Sequence, residues 1–182
     1  MLLELKRFNI PPGHKVFLND VTWQEFENIL AELGEHRASR VAYENVILEI
    51  LTPLPEDETN KLFITNFVEI LLEELDVEFY PLSSTTFKNQ DMLKEIEPDN
   101  CFYIQNEAVV RVKERLDLTV YPPPDLALEI DITSRTHANI YQTLGVPELW
   151  QFEKGKLQIQ VLQDGKYVES PFITNSFSGT RI

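Results

Sequence analysis

Pro124-Asp125-Leu126-Ala127-Leu128-Glu129-Ile130-Asp131-Ile132-Thr133-Ser134 alternates apolar side chains with small or acidic ones. Successive side chains on a strand point to opposite faces. Leu126, Leu128, Ile130 and Ile132 therefore share one face, and Ala127, Glu129, Asp131 and Thr133 the other, which sets two carboxylates side by side. Taken alone, the segment fits a half-exposed strand whose polar face meets water, and equally a site that gathers acids. Either way a strand is predicted over Leu126–Ile132.

Working outward, the spacing predicts a helix from about Thr136 to Leu144, stopped at Gly145. Pro147 then precedes three β-rich runs, about Glu148–Phe152, Leu157–Leu162 and Tyr167–Phe172, with Gly155 and Gly165 in the turns. Upstream lie shorter strand-like runs at Val77–Tyr80, Ser84–Phe87 and Cys101–Ile104. A long amphipathic helix is predicted over Glu56–Leu75, its apolar side carrying Leu62, Phe63, Val68, Leu71, Leu72 and Leu75. Before it, Arg40–Tyr43 and Val46–Leu51 read as a hairpin turning at Glu44-Asn45. Thr22-Trp23-Gln24-Glu25 has capping-box spacing for a helix that Gly34 closes. Helices and strands interleaved in this way predict an α/β fold, a mixed central sheet flanked by helices. Residues 1–13, ending in Pro11-Pro12-Gly13, are expected to form an arm ahead of a single domain at 14–182. The end of the chain, Ser176–Ile182, is expected to be frayed or truncated.

The chain has 182 residues, enough for one domain with a core that needs no metal or disulfide to hold it. Its one cysteine, Cys101, excludes an intrachain disulfide and a cysteine-rich zinc site. It reads as a small buried hydrophobe, and Trp150 and Phe152 as core residues. No run reaches the roughly 18 apolar residues of a membrane span, and the first residues lack signal-peptide order, so a cytoplasmic domain is expected. Thirty acids against sixteen bases give a net charge of −14. This disfavours nucleic acid as a partner, since a counterion-releasing surface is basic, but leaves room for a local basic groove.

Glu97-Pro98-Asp99 leads into Asn100-Cys101-Phe102-Tyr103-Ile104. Pro-Asp is a common turn pair, yet here it also presents a carboxylate where a strand enters a sheet. Asp99 entering one strand, and Glu129 with Asp131 on another, can converge on one divalent cation. Magnesium takes a few carboxylate oxygens and fills its octahedron with water, which can become the nucleophile toward a phosphate ester. Without a cation such acids repel one another and raise their own pKa values.

With these residues the chain resembles the PD-(D/E)XK nuclease superfamily and, within it, the Uma-two family of restriction-endonuclease-like proteins of cyanobacterial type. The resemblance runs from about Val16 to Phe172. It rests on Leu48-Glu49-Ile50 with Pro53, Ser84-Thr85-Thr86-Phe87-Lys88, Glu97-Pro98-Asp99, Pro124-Asp125-Leu126 with Glu129–Ser134, and Tyr141 with Leu144–Trp150. It implies a restriction-endonuclease-like fold and a metal-dependent endonuclease that hydrolyses DNA. Asp99 matches the motif's aspartate and Glu129 its (D/E), so both would bind Mg²⁺ or Mn²⁺, with Asp131 at or just behind the ion. Pairing of two copies, as restriction-type nucleases often do, would make a homodimer.

The motif's lysine, due two residues after Glu129, is replaced by Asp131. The following Arg135–Tyr141 holds no lysine either, which leaves Arg135 or His137 for part of that role; only the histidine can act as a base. On the long helix, where relatives often carry a histidine, Asp57 stands between Glu56 and Glu58. Asp57 or Glu58 would add a metal ligand, or else the three acids simply complement the helix dipole. Glu49 faces the site, pairs with a base or points to solvent. Lys88, Arg111, Lys113 and Arg115 are the basic residues available to phosphates, or are solvated. The competing reading is a degenerate nuclease fold kept as a binding or assembly module, which the −14 charge and the missing lysine favour.

Overall fold

The computed structural model describes residues 9–34, 37–83, 85–111, 116–130 and 136–171, residues 136 and 137 by backbone alone. The elements in chain order are β1 (Lys15–Leu18), α1 (Trp23–Leu33), β2 (Arg40–Glu44), β3 (Ile47–Leu51), α2 (Pro55–Glu74), β4 (Tyr80–Ser83), β5 (Phe87–Asn89) and β6 (Lys94–Ile96). There follow β7 (Asn100–Tyr103), α3 (Glu107–Val110), β8 (Leu116–Asp117), β9 (Leu126–Ile130), α4 (Thr136–Leu144), β10 (Glu148–Glu153), β11 (Lys156–Gln163) and β12 (Lys166–Glu169). The α/β class and the mixed strand directions are those expected. The strands are divided between two six-stranded sheets, ordered β1-β3-β2-β6-β5-β8 and β12-β11-β10-β9-β7-β4. β5 with β8 and β9 with β10 are the parallel neighbours.

The expected caps and turns have physical counterparts. Thr22 Oγ1 accepts from the Glu25 N–H at 3.3 Å, and the Glu25 carboxylate accepts from the Thr22 N–H at 2.9 Å, satisfying two backbone donors at the helix start. The β2–β3 hairpin turns one residue later than predicted, on Asn45 and Val46, both at positive φ (51° and 60°). A two-residue turn of this hand matches strand twist, although a β-branched residue rarely adopts it. The strand expected at Val77–Tyr80 instead begins at Tyr80 and includes Pro81, which an edge strand such as β4 tolerates. β1 and β6 were not predicted; β6 is three residues long and two of them are charged, so it carries no alternation signal.

Alternation assigns each face to a layer. In the first sheet Val41, Tyr43, Leu48 and Ile50 pack on Phe26 of α1. Ala42, Phe87 and Ile96 turn the other way, into a central core. That core receives Cys101, Tyr103, Ala127 and Leu149 from the second sheet, and Ile140, Tyr141 and Leu144 from α4. The far face of the second sheet, with Phe102, Leu126, Leu128, Ile130 and Trp150, packs on Val68 and Leu72 of α2. β9 is thus buried on both faces. The side of Ala127 and Glu129 is not the solvent-facing side of a half-exposed strand.

The α2 face predicted from apolar spacing needs correction. Leu62 and Phe63 are 62% and 71% exposed, while the buried positions are Lys61, Thr65, Val68 and Leu72. These follow one helical stripe, but its first half is polar because it covers polar groups, as the site geometry shows.

Candidate active site

Asp99 sits just before β7, on the same side of the sheet as Cys101, and Glu129 lies on β9 on the side of Ala127. Both therefore face the central layer, and both are buried. The two strands are hydrogen-bonded neighbours in antiparallel register. Asp99 Oδ2 accepts the Ile130 N–H at 2.6 Å, so the first acid is fastened to the strand that carries the second. The Tyr141 hydroxyl, reaching across from α4, donates to Glu129 Oε1. Burial and the Glu129 carboxylate push the Tyr141 phenol well up, which keeps it a neutral donor.

Arg40 enters from the first sheet. It heads β2 on the same side as Ala42, and its Nη1 lies 2.6 Å from Asp99 Oδ1. Its Nη2 donates to Glu58 Oε1 on α2 at 3.2 Å. Burial works against its charge, but Asp99, Glu129 and Glu58 outweigh burial and raise its pKa. Asp99 is pushed up to about 7, first by burial and then by the nearby Glu129, against the opposing pull of Arg40, the Ile130 N–H and Lys61. One guanidinium does not offset two buried carboxylates. Lys61 stands 3.7 Å from Glu58. One turn on, Thr65 Oγ1 accepts from the Asn100 amide at 2.9 Å. These contacts explain the polar half of the buried α2 stripe.

Other candidates are placed elsewhere. Asp57 Oδ2 accepts the Leu54 N–H at 2.8 Å and so caps α2. Glu49 is buried with Lys15 at 3.6 Å, pairing with a base. Lys88 pairs with Glu27 at 2.6 Å, and Arg111 with Glu78 at 2.8 Å and with Glu107. Cys101 is fully buried, its thiol pushed up by that burial, and Trp150 is core, its indole donating to Glu148. Asp125 accepts the N–H groups of Ile104 and Gln105 at 2.7 and 3.0 Å, tying the loop after β7 to the start of β9. Asp131, Arg135, Lys113, Arg115 and the His137 side chain lie outside the described residues. Arg40, Lys61 and the partner role of Tyr141 were not predicted. The signal for Arg40 was a charged residue two places before Ala42 on the inward face of an apolar strand.

Among the described residues no group of three or more His, Cys, Asp or Glu is arranged to hold a metal ion. An ion here would rely on the Asp99–Glu129 pair. Two hard, buried, mutually repelling carboxylates fit magnesium or manganese, which complete their shell with water and substrate oxygens.

The family model described as "Putative restriction endonuclease" (Uma2) matches residues 23–181. The chain belongs to the Uma2 family. Among solved structures it is similar to a putative nuclease belonging to DUF820 from Anabaena variabilis, with a TM-score of 0.62 and 13% identity over 87% of this chain and 92% of that one. The similarity shows that this Uma2 chain has the fold of that protein. No curated protein matches it. Among the described residues no helix is long and apolar enough to cross a membrane.

Proposed function

We propose that this Uma2 chain is a metal-dependent endonuclease hydrolysing DNA phosphodiester bonds, with Asp99 and Glu129 holding Mg²⁺ or Mn²⁺. The observation that carries the reading is the pairing of these two buried acids, one just before β7 and one on the neighbouring β9, each pinned by a donor, the Ile130 N–H and the Tyr141 hydroxyl. Such pinning fixes carboxylate orientation, as donors behind metal ligands commonly do. When bound, a divalent ion would activate water and stabilise the charge that develops on the phosphate. Arg40 and Lys61 supply positive charge beside the acids of an otherwise acidic protein. Asp131, which follows on the chain, is assigned a place at or just behind the ion, and Arg135 or His137 part of the missing lysine's role, the histidine alone being able to act as a base. Glu58 is tied to Arg40 rather than assigned to the ion, and Asp57 to its cap.

The test is nicking of supercoiled plasmid at low salt with Mn²⁺, wild type beside Asp99→Ala prepared identically. Cleavage by the wild type alone supports the reading. Equal cleavage, or none with any of several metals and DNA forms, transfers the fold to the binding-module reading, which the guanidinium already seated on Asp99 favours.

A further inference from the structure

We propose that Arg40 is a built-in competitor for the divalent ion, keeping the acid cluster closed until an arriving ion displaces its guanidinium from Asp99. The inference rests on the metal-binding reading of Asp99 and Glu129. Asp99 Oδ2 is engaged by the Ile130 N–H, so Oδ1 is the oxygen with no backbone donor on it and the one we assign to the ion. Arg40 Nη1 lies 2.6 Å from that atom, with its side chain only 13% exposed. A guanidinium in direct contact with Oδ1 crowds the approach to that atom, and its charge repels a dication a few ångströms away in a poorly screened site. Ion entry and the Arg40–Asp99 contact therefore compete, each weakening the other.

The displaced group has a place to remain. Its Nη2 is already bonded to Glu58 on α2, whose side chain is 52% exposed, so the guanidinium gives up Asp99 and keeps Glu58. In the ion-free state the same contact offsets part of the repulsion between the acids. A fork that bridges two carboxylates is a property of arginine, not of the single point charge of lysine. Arg40 is thus a positioning residue that trades resting stability against ion affinity.

The experiment is Mn²⁺ binding to the purified full chain, read by electron paramagnetic resonance and by thermal melting with and without the ion. Wild type, Arg40→Gln, Arg40→Met and Asp99→Asn are compared. Arg40→Gln is expected to bind Mn²⁺ about tenfold more tightly, within the usual range of coupling between competing ligands. Its ion-free melting temperature should fall below that of the wild type, and saturating Mn²⁺ should close the gap. Equal or weaker binding by Arg40→Gln, with the wild type binding and Asp99→Asn not, overturns the inference and leaves the metal-site reading intact. No binding by either wild type or Arg40→Gln overturns both. If Arg40→Gln does not fold, Arg40→Met, which also removes the charge, decides: several-fold tighter binding supports competition, and unchanged affinity rules it out.

Discussion

The backbone N–H of Ile130 donates to Asp99 Oδ2 at 2.6 Å, so one strand both carries Glu129 and positions the acid that faces it. The two carboxylates cannot drift apart without breaking a buried hydrogen bond. The repulsion between them is therefore built into the sheet rather than relaxed by side-chain movement, and it adds to burial, the larger cause, in pushing Asp99 up to about 7.

Replacing Asp99 by asparagine retains an acceptor for the Ile130 N–H and removes one charge. In the folded protein burial and Glu129 outweigh Arg40 and disfavour the ionised form. Above pH 7 the ion-free Asp99→Asn protein should then melt about 5 °C higher than wild type, taking roughly 2–4 °C per kcal/mol for a chain of this size. Cleavage should fall by more than the roughly 10–100-fold typical of residues that only support a metal ligand. Calorimetry beside the nicking assay checks both, and a lower melting temperature at pH 8 contradicts the electrostatic account.

Tyr141→Phe isolates the other pin. The ring remains in the central core, while Glu129 Oε1 loses the tyrosine's hydrogen bond. Losing a hydrogen bond to a charged group costs about 1.5–3 kcal/mol, and cleavage should drop about tenfold as the carboxylate loses this orienting contact. Urea unfolding and plasmid nicking read the two effects separately. Full activity in the variant would show that the hydroxyl does not orient Glu129.

What could be read from the sequence follows from how local each signal is. The β9 alternation and the Thr22–Glu25 box lie in short windows, and the fold makes a strand and a helix start of them; the acids Asp99 and Glu129 lie in short windows too, and the fold buries both. Arg40 and Lys61 reach the acids only through tertiary contact between the first sheet, α2 and the second sheet, which no window contains. The polar face of β9 was compatible with solvent because one strand cannot reveal that α4 will cover it. The buried stripe of α2 was misassigned for a related reason: where a helix covers a polar site, its inner face is polar, and apolar periodicity then points away from the core.

That correction predicts opposite outcomes for two apolar residues on one helix. Phe63 is 71% exposed, whereas Leu72 is fully buried against the far face of the second sheet. Leu72→Ala should cost about 2–5 kcal/mol through lost burial and the cavity left behind. Phe63→Ser should stay within about 0.5 kcal/mol of wild type, as surface changes usually do. Denaturant midpoints of the two variants decide it. A large loss at Phe63 would mean that this residue is covered by something other than its own chain.

Glu95 adds a second pH dependence to stability, beside that of Asp99. It is fully buried on β6, opposite Tyr43, and neither carboxylate oxygen has a hydrogen-bond partner among the described residues. Burial, Glu97 and Glu27 raise its pKa from 4.5 to about 9, against the opposing pull of Lys88 and Arg37. Between those two pH values the folded protein keeps a proton that the unfolded chain has released. The contribution of Glu95 to stability is therefore fully present below about pH 4.5 and is lost as the pH rises toward 9, by up to about 1.4 kcal/mol per pH unit. Glu95→Gln keeps the shape and cannot titrate. It should match the wild type near pH 5 and exceed it at pH 8 by more than about 2 kcal/mol, read from urea unfolding at both pH values. A difference of the same size at pH 5 and pH 8 would show that packing, not the buried proton, separates the two proteins.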